Sequence, residues 1–266
     1  MKAIIVAAGR GRRLGPETSE IPKCMVSVGG KPILHRQVEA LAAAGMTELV
    51  IVRGYLGDRI AVPAALAASG VRVRFVENPE WADNNILASL FFAEAEMDGG
   101  FLFSYSDIVF APAHARLVAA STDDVGLVID RRWRDTYVGR ALHPISEAEL
   151  ASVIDGPGGP RVDRVGKTVV PADEAVGEFI GLARFSAAGA RAVRGVWTRA
   201  RQGEGGLEAP FGRAARLRQA YLSDALNALA DGGTRLAPLF IDGRWREIDT
   251  EEDLSRAHAV VNDWRD

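Results

Sequence analysis

The chain has a single cysteine, Cys24, among 266 residues. That excludes an internal disulfide and any zinc site assembled from a cysteine cluster. Its four histidines do not signal a metal site either. It lacks an apolar run of about 18 residues, the length that marks a membrane-crossing helix, so no membrane partner is expected. No leader is expected, because the opening Met1-Lys2-Ala3-Ile4-Ile5-Val6-Ala7-Ala8-Gly9 is short and meets glycine too soon for a signal peptide. A cytoplasmic location is therefore expected. An excess of one charge is missing too: 32 Lys and Arg face 35 Asp and Glu, a net charge of -3. A broadly basic nucleic-acid surface is not expected on that balance. There is no repeat of 20–50 residues and no low-complexity tract. What remains is 48% hydrophobic and 25% charged, the profile of a soluble globular enzyme or binding domain and not of a disordered, collagenous or coiled-coil chain.

Strand and helix signals alternate through the first half. Residues 3–7 form an apolar run without in/out alternation, which suits a strand buried on both faces. Helical periodicity follows over 33–44, a strand over 48–52, a helix over 59–68 with Pro63 either early in it or interrupting it, a strand over 71–76, a helix over 86–95, and strands over 101–105 and 125–129. This rhythm predicts an α/β protein, a Rossmann-like, mostly parallel but mixed sheet flanked by helices. Such sheets bind ligands at the carboxyl ends of their strands. Three places meet that description: the loop after Ala7, the Gly54-Tyr55 corner, and Ser106-Asp107. The second half is less regular. Asp155-Gly156-Pro157-Gly158-Gly159-Pro160 is a hairpin tip, with short strands expected around Gly166 within 162–170. A strand over 178–185, helices over 187–199 and 213–230, a mobile glycine-rich loop over 202–212, a strand over 236–241 and a last helix over 250–264 complete the reading. One domain is expected over 1–266, in halves at 1–130 and 131–266, the second elaborating the sheet.

The segment Ala7-Ala8-Gly9-Arg10-Gly11-Arg12-Arg13-Leu14 follows the first strand. Its two glycines allow a phosphate to approach the backbone, and three arginines add positive charge. Leu14 breaks the dinucleotide pattern Gly-x-Gly-x-x-Gly, and no Gly-Lys-Ser/Thr follows to make a P-loop. A nicotinamide-dependent oxidoreductase is further disfavoured because Arg53, not an acid, closes the next strand. Taken alone, the triplet of arginines also reads as a solvated loop face.

In combination with Pro22-Lys23 and with Gly30-Lys31-Pro32-Ile33-Leu34, this stretch resembles the signature of the nucleotidyltransferase superfamily that activates sugar phosphates and phosphoalcohols. Arg12 stands where that signature usually has Thr or Ser. Glu48 to Tyr55 resembles the family's second strand and Gly-Tyr corner. Asn78-Pro79-Glu80-Trp81-Ala82-Asp83-Asn84-Asn85-Ile86-Leu87-Ala88-Ser89-Leu90 is similar to a stretch of the bacterial phosphocholine and phosphonate cytidylyltransferases and their inositol-phosphate relatives; Asn84-Asn85 also reads as a helix N-cap. The resemblance implies a GT-A-like fold and in-line attack of a phosphate or phosphonate oxygen on the α-phosphorus of CTP. It implies Lys23 and Arg13 as catalytic residues and Asp107 and Asp249 as ligands of Mg2+. Thr250 with Asp253 also reads as a helix-capping pair, which leaves Asp249 unexplained. It places Ala7, Ala8, Gly9, Arg10, Gly11, Arg12, Gly54, Tyr55, Asn85 and Ser89 around the nucleotide.

The acceptor is less legible. Choline recognition calls for an aromatic cage with a carboxylate nearby. Trp133, Tyr137, Trp197, Tyr221 and Trp245 are candidates, and each also reads as core. Glu178, in a segment similar to one in phosphonate- and phosphocholine-activating enzymes, and Asp224 are candidate partners for a substrate amine or simply solvated charges. Arg131, Arg132 and Arg134 either receive the acceptor's phosphate or lie in solvent. Arg199, Arg201, Arg213, Arg216 and Arg218, flanking the 202–212 loop, are candidates for a homodimer contact, for the substrate or only for solvent. Two alternatives stay open: transfer to a sugar-1-phosphate or inositol phosphate, and a non-catalytic nucleotide-sensing subunit. The second is disfavoured by the retention of Lys23, Asp107 and Asp249.

Overall fold

A computed structural model describes residues 1–264. In chain order the elements are β1 (Lys2–Ala7), β2 (Ser27–Val28), β3 (Lys31–Pro32), α1 (Ile33–Ala43), β4 (Glu48–Arg53), α2 (Ala64–Ala68), β5 (Arg72–Glu77), α3 (Ile86–Phe91), β6 (Phe101–Tyr105), β7 (Ile108–Phe110), α4 (Pro112–Ala120), β8 (Val125–Asp130) and α5 (Trp133–Tyr137). There follow β9 (Glu149–Ile154), β10 (Arg161–Lys167), β11 (Gly177–Phe185), α6 (Ala187–Gln202), α7 (Leu222–Asp231), β12 (Leu236–Ile241), β13 (Trp245–Glu247) and α8 (Glu251–His258). Among the described residues no helix is long and apolar enough to cross a membrane.

The main sheet runs β10-β9-β11-β6-β1-β4-β5, with β8 also pairing β11 and carrying β12. It is mixed, as expected. The strands joined by helical crossovers are parallel: β1 with β4 and β6, and β4 with β5. Antiparallel pairing begins at β11, which meets β6, β8 and β9. β1 lies in the interior and both of its faces are covered. Ile4 and Val6 join one core with α3, α6 and α7, while Ala3, Ile5 and Ala7 join another with α1 and α4. That explains its unbroken apolar run. At β5, on the edge, alternating arginines face solvent. β11 is irregular between Phe179 and Ala183. Gly181 sits there at φ +80°, where a Cβ would lie 2.1 Å from the Tyr105 ring, so only glycine lets the strand bend against the end of β6.

Several expectations are corrected. The helix expected over 59–68 begins only at Ala64, after Pro63, because proline is tolerated at a helix start and not inside it. That expected over 86–95 stops at Phe91, with a separate turn at Glu94–Glu96. The helix expected over 213–230 begins nine residues late, at Leu222. The carbonyls of Arg218 and Ala220 are instead used by the backbone N–H groups of Asn85 and Leu87, at 2.8 and 3.2 Å. Tertiary hydrogen bonds thus override helical propensity. The hairpin tip at 155–160 is present, but it joins β9, which the sequence pattern did not disclose, to one continuous strand, β10, that runs through Gly166. The glycine-rich 202–212 segment forms a short turn at Gly206–Glu208, and Leu207 and Phe211 pack against the core.

Candidate active site

The site is assembled at the carboxyl ends of β1 and β6, where the turn Gly9–Arg13 faces the loop after Tyr105. Gly11 is left-handed (φ +67°), and a Cβ there would stand 2.8 Å from the Cβ and Cδ of Lys23. The turn is therefore packed directly beneath the lysine stem. Lys23 is buried and donates from Nζ to Asp107 Oδ2 at 2.7 Å and to Asp249 Oδ1. Arg13 donates to Asp249 Oδ2 at 2.5 Å and to Glu147 Oε2 at 3.3 Å.

Two residues so distant in sequence meet because β7 pairs antiparallel with β13, Ile108 opposite Glu247. The Ile248 N–H extends the ladder to the Asp107 carbonyl at 2.8 Å. Both readings of the Asp249 segment hold in the geometry. The Thr250 hydroxyl accepts from the Asp253 N–H, and Asp253 Oδ2 accepts from the N–H groups of Thr250 and Asp249. The capping box is complete without the Asp249 carboxylate, which is left for Lys23 and Arg13.

The electrostatics follow from this packing. Burial alone would raise the Asp249 carboxyl, but Lys23 and Arg13 hold it well below the usual range. Burial alone would lower Lys23, but Asp107 and Asp249 raise it. Glu247 is pushed well above the usual carboxylate range by burial and by the charges of Asp249 and Asp107. His143 is fully buried, and its pKa falls to about 4 through burial and the nearby Arg140. Its ring nitrogens lie near Glu247 and Asp249, and those three residues can bring one ligand atom each within 4.8 Å of one another. Asp107 Oδ1 is buried with no hydrogen-bond partner among the described residues. An orphaned carboxylate oxygen beside the carboxylates of Asp249 and Glu247 is a hard-oxygen donor set, and it fits Mg2+.

A cavity of about 360 Å³ extends from here. Of the residues expected around the substrates, Gly9, Gly11, Arg12, Arg13, Lys23, Asn85, Ser89, Asp107, Glu178, Tyr221, Trp245 and Asp249 line it. Others stand behind it. Ala7 and Ala8 are buried, and the Ala8 carbonyl accepts from the Tyr55 N–H at 3.0 Å. The Tyr55 ring packs edge-on against Trp81, with the Arg10 guanidinium 5.2 Å from its centre. Gly54, Tyr55 and Arg10 thus brace the cavity wall and do not line it. Two acceptor expectations are corrected. Trp133 is fully buried in a small cluster with Leu150 and Val170, away from the cavity. Asp224 caps α7: its carboxylate accepts from the N–H groups of Tyr221 and Arg213, both at 2.9 Å. Arg131, Arg132 and Arg134 turn to Asp242, Asp135 and the Ala172 carbonyl, on the outer surface.

Sequence reasoning missed Trp81, Glu147, Glu149, Lys167 and Glu247, which also line the cavity. Glu247 carried a signal, since it lies two residues before Asp249 on an extended segment and so shares its face. Glu149 and Lys167 sit on β9 and β10, strands whose pairing the pattern did not disclose.

The MobA-like NTP transferase domain family matches residues 3–177. Over 260 residues the chain is 28% identical to the CTP:phosphoglutamine cytidylyltransferase of Campylobacter jejuni, a match spanning 96% of this chain and 98% of that protein. It is 34% identical over 113 residues to the 2-aminoethylphosphonate cytidylyltransferase of Lancefieldella rimae, covering 42% of this chain and 45% of the other. The structure of the CTP:phosphocholine cytidylyltransferase from Streptococcus pneumoniae shares the fold, with a TM-score of 0.71 at 21% identity over 98% of both chains. The resemblance carried by the glycine turn, Pro22-Lys23 and the Asn78–Leu90 stretch is borne out by these matches.

Proposed function

The chain belongs to the MobA-like NTP transferase domain family, and from that premise we propose that it is a Mg2+-dependent cytidylyltransferase. It condenses CTP with a small acceptor of phosphocholine or aminoalkylphosphonate type to give a CMP-linked product and pyrophosphate. One observation carries the reading: the ammonium of Lys23 joins Asp107 to Asp249 directly above the Gly9–Arg13 turn.

Phosphoryl-type transfer needs positioning and charge stabilisation more than covalent help from the protein. An acceptor oxygen attacks the α-phosphorus in line, the bond from that phosphorus to the β-phosphate's bridging oxygen breaks, and pyrophosphate departs with the electron pair. The attacking oxygen is already anionic, so no general base is required. Lys23, held charged by its two carboxylates, contacts the α-phosphate or the incoming oxygen as charge builds there. Arg13 and the backbone N–H groups of the glycine turn hold the β- and γ-phosphates. Asp107 and Asp249, with Glu247 beside them, would hold Mg2+, which when bound supplies neutralising charge at the phosphates. Asn85 and Ser89 lie at the base and ribose end. Ser89 is fixed by Asn78, whose amide donates to its hydroxyl at 2.9 Å.

The test is a matrix of CTP, UTP and dTTP against phosphocholine, 2-aminoethylphosphonate and glucose-1-phosphate, read as pyrophosphate release with Mg2+ and after chelation. Release with CTP and an amine-bearing acceptor, abolished by chelation, is expected. Release only with a sugar phosphate would overturn the acceptor assignment.

A further inference from the structure

Away from the glycine turn, the cavity wall is formed by the first residues of β9 and β11, with Glu178 paired to Leu150, the residue after Glu149. Both glutamates line the cavity and both are more than nine-tenths buried, Glu149 at 6% and Glu178 at 3% exposed. A tyrosine serves one oxygen of each. Tyr105 donates to Glu149 Oε1 at 2.9 Å, and Tyr137 donates to Glu178 Oε1 at 2.8 Å. The second oxygen of each, Oε2, is buried with no hydrogen-bond partner among the described residues. Glu149 is partly relieved by Ser223 and by the charge of Lys167, which stands opposite it across the strand pair, and Glu178 is the less relieved of the two. Burying a carboxylate oxygen without a donor is costly, and native proteins rarely leave it so. Burial raises both groups, Glu178 to about 8, while Lys167, Tyr105 and Ser223 pull Glu149 part of the way back. A cation that arrives with a ligand favours the ionised form of each. A fold that repeats this arrangement at two positions on one cavity wall is built for donors that arrive with a ligand.

The chemistry of the donor can be narrowed. A trimethylammonium group has positive charge but no N–H, so it would leave both oxygens unsatisfied. It is held instead by aromatic faces, and those nearby are already engaged or covered. Lys167 Nζ lies 5.2 Å from the centre of the Tyr221 ring, Tyr105 packs edge-on with Phe103 and Phe179, Trp81 packs edge-on with Tyr55, and Trp245 is buried. A primary ammonium offers both charge and three N–H donors. On the reading that the chain transfers a nucleotidyl group to an anionic acceptor, we infer that Glu149 and Glu178 form an acceptor subsite that selects a primary ammonium over a trimethylammonium. The two glutamates are specificity-determining residues, and the acceptor class narrows to phosphates or phosphonates bearing a primary amine.

The experiment compares 2-aminoethylphosphonate, its N,N,N-trimethyl counterpart and ethylphosphonate. Binding is read by calorimetry and turnover by pyrophosphate release with CTP and Mg2+. In the unaltered protein the primary amine is expected to surpass each of the other two by at least about tenfold in affinity and in kcat/KM, the scale of hydrogen bonds to a charged group. In Glu149→Gln and in Glu178→Gln that ratio is expected to fall towards one. A change acting only through the fold lowers all three compounds together and keeps the ratio, so an unchanged ratio in either variant overturns the inference. Equal binding of the primary and trimethyl compounds by the unaltered protein overturns it too. Pyrophosphate release with a flat binding ladder sinks the subsite and leaves the transfer reading standing. A steep ladder without pyrophosphate from any acceptor does the reverse.

Discussion

The two ends of the cavity treat charge in opposite ways. At the glycine turn, Lys23 and Arg13 are already matched to Asp107 and Asp249. At the far end, Glu149 and Glu178 keep one buried oxygen each without a hydrogen-bond donor among the described residues, and only Glu149 has a cation, Lys167, opposite it. The first end rests on parallel β1 and β6, a tight turn and the small antiparallel β7–β13 pair, the second on antiparallel strands bent at Gly181. Mutual neutralisation keeps a set of fixed charges together in a buried place without any ligand. Unrelieved burial spends stability on readiness for one. The contrast suits two tasks: a common triphosphate is met by a prearranged counter-charge, and a particular acceptor is recognised by what it alone can satisfy.

The comparison is broken most forcefully at Lys23. Lys23→Ala removes the shared partner of Asp107 and Asp249, and turnover at saturating CTP is expected to fall at least about a hundredfold, the scale for losing one transition-state contact. A loss of only a few-fold in steady-state kinetics would move the chemistry away from the glycine-turn end.

The next effect is one of stability and belongs to the far end. Below about pH 4.5, the ordinary carboxyl value, Glu178 is protonated whether the chain is folded or not. Between there and about 8 only the unfolded chain ionises it, because burial holds the folded group protonated. The folded state then binds more protons than the unfolded one, so this residue's contribution falls as pH rises through that window. Glu178→Gln removes that slope. Denaturant unfolding at pH 5 and pH 8 is expected to show the variant gaining on the unaltered protein by a few kcal/mol across the interval. Parallel pH profiles would mean that the carboxylate is relieved inside the fold, and the contrast between the ends would vanish.

How far the site was legible follows the same division. Residues 7–34 place a strand, a turn, a lysine and a helix in close succession, so local signals coincide with the site. Asp249, for which the capping of Thr250 and Asp253 does not compete, could be singled out by the family resemblance of its segment. Glu149 and Lys167 could not, because their roles depend on β9 and β10 pairing across a hairpin and meeting β11, which is non-local information. Trp133 failed for a related reason: an aromatic beside arginines reads alike whether it faces ligand or core, and only packing against Leu150 and Val170 decides. The late start of α7 failed because helical propensity over 213–221 lost to hydrogen bonds made by α3.

A smaller effect sharpens the glycine-turn end. In Gly11→Ala the added methyl meets the stem of Lys23 in a left-handed backbone conformation. The conformational cost is about 1–2 kcal/mol. Turnover should fall about tenfold, more than the CTP KM changes, since the displaced group is Lys23. Thermal unfolding and kinetics together check this. A loss of stability with kcat intact would show that the lysine's position does not depend on the turn.

Asn85, which ties the start of α3 to the 217–219 turn, carries the smallest effect. Its side chain caps α3, accepting from the Ile86 N–H at 2.8 Å, and donates to the Gln219 carbonyl at 3.1 Å, while its own N–H reaches the Arg218 carbonyl. Asn85→Ala removes both side-chain bonds and is expected to cost about 1 kcal/mol, the usual loss for such a cap. Asn85→Asp keeps the cap but turns an acceptor towards the Gln219 carbonyl, so it restores only part of that stability. If the residue also lines the base and ribose, the CTP KM rises several-fold in both variants, although their stabilities differ. A KM that follows stability, falling back towards normal in Asn85→Asp, would reduce Asn85 to a strut between the parallel half and the 217–219 turn.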